Sequence, residues 1–251
     1  MRAKLRRPVV GIGVAAFWLC LWLLCSLWVG QELLLPTPIL VAQTLWRLMG
    51  TTAFWVSVGL SLLRVLGGFA AAVVAGILLA MLTTRFRTVH ALLSPVLHVI
   101  QAAPVASFII MAYVWIQVGI LPAFIAFLMV VPLVWSNVRQ GILNTDPKLL
   151  EMASVFRLGR RRTMRYVRFP SVRPYLEAAL TAGFGFAWKS GIAAEVICQP
   201  DWSIGQNMYA AKAYLETAEV IAWTVVVVLL SVLLERLLLR LFGRKKQEVR
   251  E

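Results

Sequence analysis

Charge is scarce in this chain, and negative charge most of all. Only 14% of the 251 residues are charged, with 11 Asp and Glu against 25 Lys and Arg, while 61% are hydrophobic. A soluble domain could not hide so much apolar surface, so that class is excluded. Cysteine is scarce too: Cys20 and Cys25 share the first apolar run and Cys198 stands alone, so no structural disulfide is expected. Of two histidines, His98 has no second ligand at a matching spacing, which leaves no metal site there. No nucleotide-hydrolysing motif is present. Gly183, Lys189 and Ser190 approach the spacing of a phosphate-binding loop, but Trp188 stands where a second glycine must let backbone reach phosphate, and no strand precedes it. No internal repeat is visible. The net charge of +14 would ordinarily suggest nucleic acid, yet its distribution argues for membrane topology, and no nucleic-acid partner is expected.

What the chain has in abundance is long apolar runs. Six segments exceed or approach the roughly 18 residues that cross a bilayer, at about 9–29, 54–82, 92–118, 121–138, 172–196 and 218–242. The expected fold is therefore an all-α integral membrane protein, one domain over residues 1–251, with both termini in the cytoplasm. Arg2, Lys4, Arg6 and Arg7 precede the first run, whose length and lack of a small-residue cleavage site favour a retained span over a signal peptide. Only Arg47, Arg64, Lys189 and Lys212 fall outside the segments assigned to the inner side, the asymmetry that sets membrane orientation. Between the first two spans, Ile39, Val41, Leu45 and Leu48 suggest an amphipathic helix on the outer surface. Trp28, Trp46, Trp55 and Trp202 read as interface anchors.

One stretch interrupts this pattern: DPKLLEMASVFRLGRRRTMRYVRFP, from Asp146 to Pro170, within a predicted cytoplasmic segment 139–170. Asp146 can cap a helix whose first residue is Pro147. Leu149, Ala153 and Phe156 recur at i, i+4 and i+7, predicting an apolar stripe, and Gly159 is placed to end the helix. A second helix over Arg160–Phe169 carries Arg161, Arg162, Arg165 and Arg168 and is expected to close at Pro170. The arginines can hold topology and touch anionic lipid, or pair with acidic groups on a partner. The apolar ridge and Glu151 are better suited to docking, because topology does not require them.

This stretch resembles the EAA loop of ABC-importer permeases. Glu151, Ala153, Val167, Phe169 and Pro170 fall in register with its first Glu, second Ala, Ile, Leu and Pro, while Met152 replaces the first Ala and Arg157 stands where the family usually has Gly. With SVRPYL, AWKSGIAAEVI and the final apolar run, the resemblance covers most of the chain and is to the nitrate/sulfonate/taurine branch. It implies a type I importer permease fold, with the loop lying between helices 4 and 5. It further implies an ATPase-coupling surface built from Asp146, Leu149, Leu150, Glu151, Ala153, Phe156, Gly159 and Pro170. The partners implied are a dimer of separate ATP-binding subunits, an extracytoplasmic substrate-binding protein, a second copy of the chain and the bilayer of a bacterial inner membrane. The chain itself would be no enzyme and need no cofactor.

Within the spans, Ala179, Gly183, Ala187 and Gly191 repeat at every fourth residue and predict close helix packing, with Glu195 continuing the stripe. Lys189 points about 200° from Ala187 and lies roughly 12 Å below the end of its span. Arg64 sits at a similar depth. Intramembrane charge marks a functional site by default, so Arg64, Lys189, Gln101 and Glu195 are candidates for the translocation path. Two readings stand: the cations attract an anion, or each is neutralised by a carboxylate, Glu195 being nearest in sequence to Lys189. His98 and Gln101, at i and i+3, suggest a packed, hydrogen-bonded pair, or Gln101 lines the path beside Pro104. Glu177 is expected to pair with Arg173. The solute implied is a small anion such as nitrate, a sulfonate or taurine. Alternatives are a thiamine precursor or other small molecule, and, from another class, a secondary transporter driven by an ion gradient.

Overall fold

A computed structural model of the chain describes residues 2–242. Residue 1 and residues 243–251, at the two termini expected in the cytoplasm, lie outside the described residues. All regular structure among them is helical: α1 (Arg2–Val29), α2 (Pro38–Met49), α3 (Thr52–Arg85), α4 (Arg87–Ala102), α5 (Val105–Tyr113), α6 (Leu121–Leu143), α7 (Pro147–Val155), α8 (Arg160–Thr163), α9 (Phe169–Cys198), α10 (Ile204–Ala213) and α11 (Thr217–Phe242), with a π-helical turn at Met164–Arg168.

The bundle is built on α6, which packs along α3 on one side and α9 on the other. Between helices in an apolar solvent, close van der Waals fit replaces water exclusion as the source of adhesion, and small residues permit it. A Cβ at Gly68 of α3 would collide with the Ala123 backbone of α6, and one at Gly76 would lie 2.7 Å from Val134 Cβ. The α9 stripe does what its spacing predicts: Ala179, Gly183, Ala187 and Gly191 are all buried, Gly183 against Val130 and Phe69, Gly191 against Val65. Buried polar ends find partners. Trp135 Nε1 donates to Thr83 Oγ1 at 2.9 Å, and Trp188 Nε1 donates to the Val227 carbonyl at 3.0 Å, tying α9 to α11.

Helices α3, α6 and α11 are each long and apolar enough to cross a membrane, and α4 with α5 pass that test only together. The predicted single span at 92–118 is thus two helices, bent by 104° at a break. The cause is local: Pro104 offers no N–H and drives Ala103 into an extended conformation (φ −78°, ψ 144°) that ends α4. Pro95, Pro132 and Pro174 sit inside helices without ending them. Helix α9 carries Arg173, Glu177, Lys189 and Glu195, so hydropathy alone does not single it out. In α2, capped by Thr37, the apolar face packs inward: Val41 is buried, Leu45 and Leu48 rest on the core, and Ile39 is left exposed.

Candidate functional site

The projection between α6 and α9 begins as its sequence predicts. Asp146 accepts a hydrogen bond from the Lys148 N–H at 2.8 Å and Pro147 opens α7. Its ridge differs from the predicted stripe. Ala153 is buried, facing the π-helical turn where Val167 is also buried, and the exposed apolar residues are Leu149, Met152, Val155 and Phe156, with Leu150 half-buried. Leu149, Met152 and Phe156 fall at i, i+3 and i+7, an equally helical spacing that the larger side chains occupy. Glu151 is exposed, about 200° around the helix from Leu149.

The turn after α7 is made by Arg157 and not by Gly159. Arg157 adopts a left-handed conformation (φ 49°), with its N–H donating to the Ser154 carbonyl and the Leu158 N–H donating to the Ala153 carbonyl, both at 2.9 Å. This is the paired closure that ends many helices, normally with glycine at the left-handed position. Gly159 has an ordinary φ of −59° and precedes α8. Pro170 does not close the second helix. The chain stays helical from Arg160 to Cys198, and the π turn lets the Phe169 N–H reach back to the Met164 carbonyl just before the proline. Arg157, Arg160, Arg161, Arg162, Arg165 and Arg168 are exposed, and none pairs with a carboxylate among the described residues.

The candidate path residues divide into two groups. Glu195 pairs with Arg64, at 3.7 Å, and not with Lys189. Arg64 also donates to the carbonyls of Asp201 (2.9 Å) and Trp202 (3.4 Å), and Glu195, wholly buried, accepts from Ser61 Oγ at 2.7 Å and from the Gly205 N–H at 3.2 Å. Sequence reading missed Ser57 and Ser61, although with Arg64 they make an i, i+4, i+7 polar stripe on an apolar helix.

Lys189 instead faces an open groove of about 690 Å³ between α9 and α11, lined also by Glu177, Thr181, Phe186, Ser231 and Glu235. From the level of the Trp188–Val227 bond, eight residues of α11 place Glu235 about 12 Å along the groove from Lys189. Glu177 accepts from Arg173 Nε at 2.7 Å. Glu235, exposed within an apolar helix, was detectable in sequence as an isolated acid in VLLERLLL. His98 bonds to Ser94 and not to Gln101, its Nδ1 lying 2.6 Å from the Ser94 carbonyl; Gln101 is exposed just before the break at Pro104.

A bundle of long apolar helices with a basic projection and a charged groove along one face has the make-up of an integral membrane protein. Residues 72–247 match the binding-protein-dependent transport system inner membrane component family, and the chain belongs to it. The taurine transport system permease protein of Escherichia coli (strain K12) is 25% identical over 237 residues, covering 92% of this chain and 86% of that protein. The nitrate import permease protein of Synechocystis sp. is 26% identical over 246 residues, covering 93% and 86%. In fold, the chain is similar to an amino acid ABC transporter solved with histidines, with a TM-score of 0.57 at 17% identity over 73% of this chain and 87% of that one.

Proposed function

We propose that this chain is the membrane-spanning half of an ATP-driven importer in a bacterial inner membrane. Six spans, two copies and both termini inside would complete the channel, with an external binding protein delivering a small solute. ATP hydrolysis belongs to a separate pair of subunits. The observation that carries the reading is the exposed ridge Leu149, Met152, Val155 and Phe156, held on a capped, closed α7 beside arginines that pair with no carboxylate among the described residues. Left uncovered in water, such a ridge is costly; seated in a cleft of the ATPase, it transmits closure to α6 and α9, between which it is strung. Asp146, Glu151 and Ala153 shape that seat, Leu150 backs it, and Gly159 and Pro170 lie on the segment that returns from it to the bundle.

Lys189 is the cation offered to the path, with Gln101 beside the α4–α5 break as a second polar contact. Arg64 faces Glu195 at 3.7 Å and holds the turn after α9 through two carbonyls, which favours a structural part for both. The relatives named for taurine and nitrate support a small anion as cargo, and Lys189 fits it. In the chain assembled with its ATPase and binding protein, Phe156→Ala should abolish solute uptake while leaving the subunits able to hydrolyse ATP. Full-rate uptake in that variant would favour the secondary-transporter alternative.

A further inference from the structure

Glu195 joins its own helix α9 to the next helix, α10, and to α3, which is remote in sequence. Its carboxylate takes a hydrogen bond from Ser61 on α3 and another from the Gly205 N–H in the first turn of α10, while Ser61 Oγ itself accepts from the Ile204 N–H at 3.0 Å. Two of the N–H groups that a helix leaves unpaired at its start are thereby used, and the Glu195 carboxyl group sits at the positive end of the α10 dipole. Ser203 caps the same end by accepting from the Gln206 N–H, and Asn207 Nδ2 donates to Ser57 Oγ at 3.0 Å. The backbones meet directly: a Cβ on Gly205 would collide with Glu195 and Val196. The connecting turn holds Gln199 and Trp202 at φ 52° and 53°, conformations that persist only where surroundings enforce them. Here Arg64 does so through the Asp201 and Trp202 carbonyls. The far side of this unit is open, with Trp202, Tyr209, Tyr214 and Leu215 exposed beside Lys212.

We propose that Ser61 and Glu195 are positioning residues that lock α3, α9 and α10 into one rigid body, so that a protein pressing on the exposed face of α10 moves the Lys189 face of α9 without slack. The identity of that protein as the external binding protein rests on the importer reading above; the lock itself does not. Flexible attachment would dissipate such a push, whereas three hydrogen bonds and a bare backbone contact would transmit it.

The lock is tested on the full-length chain alone in lipid nanodiscs, by amide hydrogen exchange. Ser61→Ala, which removes the acceptor of the Ile204 N–H, and separately Glu195→Ala, which removes that of the Gly205 N–H, should raise exchange at Ile204 and Gly205 about fivefold or more, the factor that follows from losing one neutral hydrogen bond, while α6 stays protected. Unchanged exchange there in both variants would overturn the proposal whatever the chain transports. The transmission is tested in the assembled importer: Ser61→Ala should keep basal ATP hydrolysis and binding-protein affinity within about twofold while losing most of the hydrolysis that the binding protein stimulates. Equal loss of basal and stimulated rates, or no loss, would reduce the cluster to a structural role and overturn it. A wild-type assembly that shows no stimulation would defeat the importer reading instead, and leave the exchange result standing.

Discussion

Arg157 is the residue at which substitution should strengthen the projection. A non-glycine residue held in the left-handed region is strained by roughly 1–2 kcal/mol, and the φ of 49° there is enforced by the two closing bonds to Ser154 and Ala153. Glycine removes that strain, although its freedom in the opened segment returns about 0.5–1 kcal/mol. The net gain for Arg157→Gly is therefore about 1 kcal/mol, or roughly fivefold in the equilibrium for local opening of the turn. Arg157→Ala is the control. The arginine is exposed and pairs with no carboxylate among the described residues, so alanine keeps the backbone strain and loses little else. Hydrogen exchange at the Leu158 amide, whose bond to Ala153 closes the turn, reads the effect. Protection should rise severalfold in the glycine variant and stay near wild type in the alanine variant. Gly159→Ala should be silent, because its φ is ordinary and nothing lies within 4 Å of a Cβ there. If Gly159→Ala opens the turn and Arg157→Gly does not tighten it, the placement of the turn is wrong.

Further outcomes follow from packing and charge. Gly76→Leu should destabilise the folded chain by several kcal/mol, since even a Cβ meets Val134 at 2.7 Å, and should be seen as loss of monodisperse protein in detergent. Gly205→Ala should displace α10 and speed tryptic cleavage after Lys212, with the α3–α6 contact intact. Lys189→Met should lower uptake of an anionic solute about tenfold, measured with the assembled importer, because the groove then keeps Glu177 and Glu235 but no cation.

Much of this molecule was legible in sequence where the signal is local. Asp146 before Pro147 gave the start of α7, and the fourfold repeat of small residues gave the buried face of α9. Prolines were less legible, because a missing N–H breaks a helix only when nothing else accommodates it: Ala103 goes extended before Pro104, whereas a π turn carries the chain through Pro170. Reading Gly159 as the turn followed the usual preference for glycine, which Arg157 overrides because the closing bonds fix its backbone. The partner of Glu195 was not recoverable from distance along the chain. Lys189 is nearer in sequence but about 120° around α9, and Arg64 arrives from α3 only once the helices pack. Ser57, Ser61 and Arg64 did carry a periodic polar signal, hidden by the hydropathy of the helix around them.

Force that enters through α7 from the cytoplasmic side requires its ridge to face inward beneath the ATPase. The direct measurement uses a single cysteine at Val155, 77% exposed on the ridge, in a chain with Cys20, Cys25 and Cys198 replaced. A membrane-impermeant maleimide should label it only after the inner face is opened, and the ATPase, once bound, should protect it. Labelling in intact cells, or labelling that the bound ATPase leaves unchanged, would mean that α7 is not the point at which force enters.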